Sequence, residues 1–111
     1  MALNLKEVRE RKRWSAIKRK YGLTKEQWFE ILRSQDGLCF ICSRKLKIRG
    51  KSTRNLAHTD HCHYSGRVRG ILCGGCNTGL IPMFEKDPPS ALKLYEYLTR
   101  STNYGYVPEG K

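Results

Sequence analysis

Residues 57 to 77 read Ala57-His58-Thr59-Asp60-His61-Cys62-His63-Tyr64-Ser65-Gly66-Arg67-Val68-Arg69-Gly70-Ile71-Leu72-Cys73-Gly74-Gly75-Cys76-Asn77, and the architecture turns on this stretch. Residues 57 to 62 are expected as a short strand. Ser65-Gly66 marks a turn, and Arg67 to Leu72 resumes as a second strand, which makes a β-hairpin. Alternate residues of a strand share a face, so Asp60 and Cys62 are expected on one side and His61 and His63 on the other. This alternation is liable to break near the strand end. A helix is expected to open near Gly75 and run to about Leu80, where Pro82 bends or ends it.

Cys73-Gly74-Gly75-Cys76 follows the second strand, and Cys39-Phe40-Ile41-Cys42 precedes it with 30 residues between the two pairs. Each C-x₂-C knuckle offers two thiolates from one tight turn, and four thiolates satisfy a tetrahedral zinc. Gly74 and Gly75 suit such a turn because they carry no Cβ. A redox C-x-x-C needs a βαβ setting that is absent, and a disulfide framework fits poorly with a chain lacking a secretory signal. His61 or His63 replacing one Cys is a further alternative. The reading is a structural zinc on Cys39, Cys42, Cys73 and Cys76. A closed Cys₄ site has no open coordination position, so any chemistry lies elsewhere.

Upstream, residues 3 to 20 read as a basic helix with Leu5, Val8, Trp14, Ile17 and Tyr21 on one stripe, ended by Gly22. Thr24-Lys25-Glu26-Gln27 matches a capping box that opens a second helix, with Trp28, Ile31 and Leu32 as its apolar face and Gly37 as its stop. Trp28 and Phe29 are expected in the core. Residues 43 to 56 form a hairpin or loop turning at Gly50-Lys51-Ser52, rich in Arg and Lys and without an acidic residue. Downstream, Asp87-Pro88-Pro89 opens a last helix from about Pro88 to Arg100. Ala91, Leu92, Tyr95 and Leu98 are its expected buried stripe. The domain organisation expected is a basic helix over 1–22, one domain over 23–100 and a flexible tail over 101–111.

Charge bounds the partners. The 111 residues carry 22 Lys plus Arg against 10 Asp plus Glu, a net charge of +12. The last 42 residues hold four of each sign, so all the excess precedes Gly70. Such a balance points to a polyanion, nucleic acid before membrane. Arg9 and Arg13 on the first helix, Lys45 and Lys47 in the loop, and Arg67 and Arg69 on the second strand are the candidate DNA contacts. No apolar run approaches the ~20 residues of a membrane span. No secretory or transit signal is recognisable, so a cytoplasmic location without membrane association is expected. With 39% apolar residues, a chain this short is expected to need a metal staple.

The remaining chemistry gathers around Asp60. Its carboxylate and the amide oxygen of Asn77, which directly follows the last zinc thiolate, are hard ligands of the type that Mg²⁺ selects. His61 is the candidate general base, because a neutral imidazole accepts a proton near neutral pH. Together these residues predict attack of water on a phosphodiester. His58 is read as structural or DNA-facing, and Cys62 as a small filler. The rival reading from another class is a non-catalytic zinc module that binds nucleic acid, but it has no use for Asp60, His61 and Asn77 together.

The run from Asp60 to Asn77 resembles the signature of the recombination endonuclease VII family: D-H-x-H, then G-x-V-R-G-x-L-C-x-x-C-N. The likeness extends upstream through Tyr21-Gly22-Leu23-Thr24 and Cys39/Cys42, and downstream through Asp87-Pro88 to the helix ending near Leu98. It implies a phage-type HNH endonuclease of α+β class, with a small ββα-metal core on a Cys₄ zinc flanked by helices. It further implies Mg²⁺- or Mn²⁺-dependent hydrolysis of DNA, with metal on Asp60 and Asn77 and His61 as base. His63 would contact the scissile phosphate or support the site. The implied location is the bacterial host cytoplasm, with DNA, and a homodimer or phage DNA-processing partner, as associates. The junction-resolving member dimerises through a long helical C-terminal extension, which is expected to be missing or much reduced here. Nicking or cleavage of duplex DNA is therefore expected ahead of junction resolution.

Overall fold

A computed structural model describes residues 4–50 and 54–103. It combines helices with a small two-stranded antiparallel sheet. In chain order these are α1 (Leu5–Tyr21), α2 (Lys25–Ser34), β1 (Ala57–His61), β2 (Val68–Cys73), a wide helical turn (Cys76–Leu80), α3 (Ile81–Phe84) and α4 (Pro89–Asn103). Lys51 and Ser52 of the expected turn, and residues 104–111 of the expected tail, lie outside the described residues. Among those described, no helix is long and apolar enough to cross a membrane.

Both N-terminal helices start on reciprocal caps. Thr24 Oγ1 accepts from the Gln27 amide at 3.1 Å, while Gln27 Oε1 accepts from the Thr24 amide at 2.9 Å. Asn4 and Glu7 repeat the arrangement on α1. Two free amides at each helix start thereby find acceptors. α1 ends at Gly22, whose φ of 74° is left-handed and whose amide donates to the Lys18 carbonyl. Lys18, Arg19 and Lys20 lie in its last turn, where positive charge is favoured by the helix dipole.

α1 and α2 meet through aromatic rings. Trp14 stands edge-on to Trp28, with centroids 5.3 Å apart, and Phe29 lies 5.2 Å from Trp28. Trp28 is buried and its indole N–H donates to Thr59 Oγ1 at 2.9 Å, fastening α2 to β1. The stripe expected on α1 docks only in part. Trp14 and Ile17 pack on the core, Leu5 is exposed, and no residue of α1 is buried.

The core is small: Trp28, Cys39, Leu46, Ile71, Leu72, Cys73 and Cys76. Ile71 is fully buried, a placement that contributes about 1.5–3 kcal/mol. Gln35, just past α2, acts as a short surrogate strand against it. Its Oε1 accepts from the Ile71 amide at 2.9 Å, and its Nε2 donates to the Ile71 carbonyl at 2.8 Å and the Leu38 carbonyl at 2.9 Å. Gly70 admits this approach, since a Cβ there would stand 3.1 Å from Gln35 Oε1. The basic segment after the first knuckle is a loop pinned by short bridges, Leu38 to Lys45 and Lys47 to Leu56, with Leu46 turned inward.

Beyond β2 the chain enters the wide turn, where the Ile81 amide reaches back five residues to the Cys76 carbonyl. Pro82 follows in the first turn of α3. Proline has no N–H, and its ring crowds the carbonyl four residues back, so a widened turn just before it relieves both problems.

α4 corrects one expectation. It forms as the sequence pattern predicts and continues to Asn103, but its apolar stripe is not buried. Leu92, Tyr95 and Leu98 are each more than half exposed, and Ala91 is exposed as well. Periodicity defines which face of a helix is apolar; it carries no information on what covers that face.

Gln35→Ala should lower stability by about 2–3 kcal/mol, because the buried Ile71 amide loses its partner. Urea unfolding of the zinc-loaded protein measures this, and a loss under ~0.5 kcal/mol would mean the contact is dispensable.

Candidate metal and phosphate site

The four knuckle thiols come together. The Sγ atoms of Cys39, Cys42, Cys73 and Cys76 all lie within 4.8 Å of one another, and Cys42 and Cys73 are 3.7 Å apart. Zn–S bonds of about 2.3 Å give a tetrahedron with edges of about 3.8 Å, so the cluster is near the size that zinc needs. Cys39, Cys73 and Cys76 are buried, while Cys42 is exposed. Burial resists ionisation of Cys39, yet the backbone amides of Cys42, Cys73 and Ile41 together draw its thiol down to about 7. Burial, followed by hydrogen bonds with Cys73, Cys39 and Cys42, pushes Cys76 up. Four soft donors around one point are the donor set that a zinc ion completes. No histidine joins this cluster.

The hairpin carries the second constellation. Strand pairing runs Ala57–Cys73, His58–Leu72, Thr59–Ile71 and Asp60–Gly70, then shifts to His61–Val68. Arg69 is the extra residue of this bulge. A bulge bends its strand and re-aims its side chain. Arg69 turns onto Asp60, with Nε 2.8 Å from Oδ2 and Nη2 3.1 Å from Oδ1. Nη2 also donates to the His61 carbonyl at 3.1 Å. Asp60 is buried at 5% exposure, so a forked guanidinium is the partner its charge requires. The hydrogen bonds to Asp60, against the opposing effect of burial, leave Arg69 with its pKa raised.

His61 and His63 sit close together, with ring centroids 4.8 Å apart, and Tyr21 at the end of α1 lies 5.5 Å from His61. His63 is anchored by a residue that motif reading does not reveal. Glu85, just past α3, holds both carboxylate oxygens 2.7 Å from His63 Nδ1 and one of them 3.5 Å from Arg69 Nη2. The hydrogen bond from His63 holds the Glu85 carboxyl below its ordinary range against the opposing effect of burial. Asn77 is half-buried at the start of the wide turn, and its side chain makes no hydrogen bond among the described residues. Asp60 and Asn77 are not linked to each other by a hydrogen bond.

The candidate DNA contacts divide. Arg9, Lys45, Lys47 and Arg67 are exposed. Arg13 is half-buried, donates to the Ile48 carbonyl and lies 5.9 Å from the Trp14 ring centre. It is committed to the protein, as Arg69 is. Cys62 lies outside the thiol cluster at the hairpin turn, where its Sγ accepts from the Ser65 amide.

The protein should bind one equivalent of zinc, measurable by elemental analysis, and lose most of its helical circular dichroism in a strong chelator. Retention of the full signal after zinc is stripped would refute a structural role for the cluster.

The sequence profile described as recombination endonuclease VII matches residues 14–100. The Gene 59 protein of Mycobacterium phage D29 is 40% identical over 57 residues, and that of Mycobacterium phage L5 is 42% identical over 57 residues. In each case the match covers 51% of this chain and 32% of the relative, so the chain spans about a third of the relatives it matches. No solved structure matches significantly. With its profile running from Trp14 in α1 to Arg100 in α4, the chain belongs to the recombination endonuclease VII family.

Proposed function

We propose that this protein is a metal-dependent DNA endonuclease of HNH type, with a ββα-metal core, that hydrolyses phosphodiester bonds by nicking or cleaving duplex or branched DNA. The observation that carries this reading is the meeting of a family-wide match with one local constellation. Asp60, His61 and His63 stand together on a bulged hairpin whose second strand runs straight into the thiol cluster.

The roles follow from donor type. Asp60 and Asn77 would hold Mg²⁺ or Mn²⁺: the Asp60 oxygens keep lone pairs beyond those given to Arg69, and the Asn77 amide is uncommitted among the described residues. Such a cation, when bound, offsets charge developing on the scissile phosphate. His61 accepts the proton of the attacking water. His63 contacts the phosphate. Exposed Arg9, Lys45, Lys47 and Arg67 supply non-specific attraction to the DNA backbone.

The test is nicking of supercoiled plasmid by the zinc-loaded protein with Mg²⁺ or Mn²⁺, compared with His61→Ala. Wild type should convert the substrate, and the variant should be slower by at least ~100-fold. If both are inert while both still bind DNA, the protein is a zinc-containing binding module and the nuclease reading fails.

DNA affinity should fall steeply with salt. A Lys45→Ala/Lys47→Ala variant should show a shallower slope of log K against log [salt], by about 0.9 for each phosphate no longer neutralised. Anisotropy titrations at several salt concentrations read this slope; an unchanged one would remove the loop from the DNA interface.

A further inference from the structure

We propose that Glu85 is a positioning residue for the hairpin site, fixing the imidazole of His63 through Nδ1 and bracing the guanidinium of Arg69. The inference rests on the nuclease reading for its kinetic consequence, but its geometry stands by itself. Glu85 lies 22 residues from His63 in sequence, and its side chain is 12% exposed against 61% for His63. A largely covered carboxylate has therefore been brought beneath a largely open imidazole. Placement comes from α3: the Glu85 amide donates to the Ile81 carbonyl at 2.8 Å, and Ile81 packs on the core.

The contacts form a continuous chain of four side chains. Asp60 takes Arg69 in a fork, Arg69 reaches Glu85, and Glu85 takes His63. The two nitrogens of His63 are thereby distinguished. Nδ1–H donates to the carboxylate, and Nε2 is left as the ring atom without a protein partner among the described residues. A carboxylate on one imidazole nitrogen fixes the tautomer and ring orientation. Nε2 is thus the atom offered to a phosphate. The same carboxylate limits where Arg69 can go, and so holds the fork on Asp60.

The test compares zinc-loaded wild type with Glu85→Ala and Glu85→Gln, the latter keeping an acceptor oxygen without the charge. Imidazole ¹⁵N–¹H spectra, recorded at a pH where His63 is neutral, should show Nδ1–H in wild type and Glu85→Gln. Glu85→Ala should shift toward the Nε2–H tautomer. In plasmid nicking, Glu85→Ala should lower kcat by about 10–100-fold with KM within about twofold of wild type, and Glu85→Gln should recover part of the loss. An unchanged tautomer in Glu85→Ala overturns the proposal. So does a loss of kcat that merely follows loss of zinc or of folded protein. If wild type does not cut DNA, the nuclease reading has failed, and the tautomer result alone decides the role of Glu85. If Glu85→Ala does not fold, Glu85→Gln decides instead: wild-type tautomer with reduced kcat supports positioning, and a changed tautomer overturns it.

Discussion

Convergence of four thiols on one point is the constraint from which the remaining structure follows. Among the described residues, three of the seven buried apolar ones are cysteines of this cluster, so the apolar core and the thiol cluster are nearly one object. A chain with a net charge of +12 and this little buried apolar surface has slight means to resist its own repulsion. The thiol cluster, which could hold a zinc ion, brings distant parts of the chain to one point. It joins the knuckle after α2 to the end of β2 and the start of the wide turn. The Gln35 contacts to Ile71 and the Trp28 contact to Thr59 act on the same joint from the α2 side.

The bulge at Arg69 is the second determinant, and it matters because of charge burial. A carboxylate at 5% exposure is costly unless a cation and hydrogen bonds meet it. Regular pairing would send Arg69 away from Asp60, its diagonal neighbour. One extra residue re-aims Arg69, and the fork closes on both oxygens. Strand regularity is given up so that an acidic residue can stand in the interior beside two histidines.

Much of this was legible in the sequence, for a physical reason in each case. Thr24 and Gln27 announce their helix because capping is a contact across three residues. The hairpin and the paired knuckles announce themselves because turn chemistry and metal-ligand spacing are also local. Asn4 and Glu7 obey the same capping rule as Thr24 and Gln27, and the signal was there to be read. Gln35 and Glu85 belong to another kind. Their partners lie 36 and 22 residues away, and no periodicity or motif marks a Gln or Glu as destined for such a contact. Arg69 could be placed on β2 but not turned onto Asp60, because a single-residue bulge leaves no mark in the alternation. Leu92, Tyr95 and Leu98 show a third limit: an apolar stripe is a property of the helix, whereas its burial is a property of a neighbour.

The excess charge is better understood by asking which basic residues are still available to a polyanion. Arg13 is bound to the Ile48 carbonyl, Arg49 pairs with Glu10 at 2.6 Å, and Arg69 is held by Asp60. These three act as internal struts, tying α1 to the basic loop and β2 to β1. Arg11, Lys12, Lys18, Arg19 and Lys20 remain exposed along α1, as do Lys45, Lys47 and Arg67 elsewhere. The last turn of α1 brings three cations to the helix end, and Tyr21 at that end touches the ring of His61. The exposed cations of α1 therefore run along a helix whose end meets the histidine pair. Composition alone gives only a net charge; the division between strut and surface gives that charge a place.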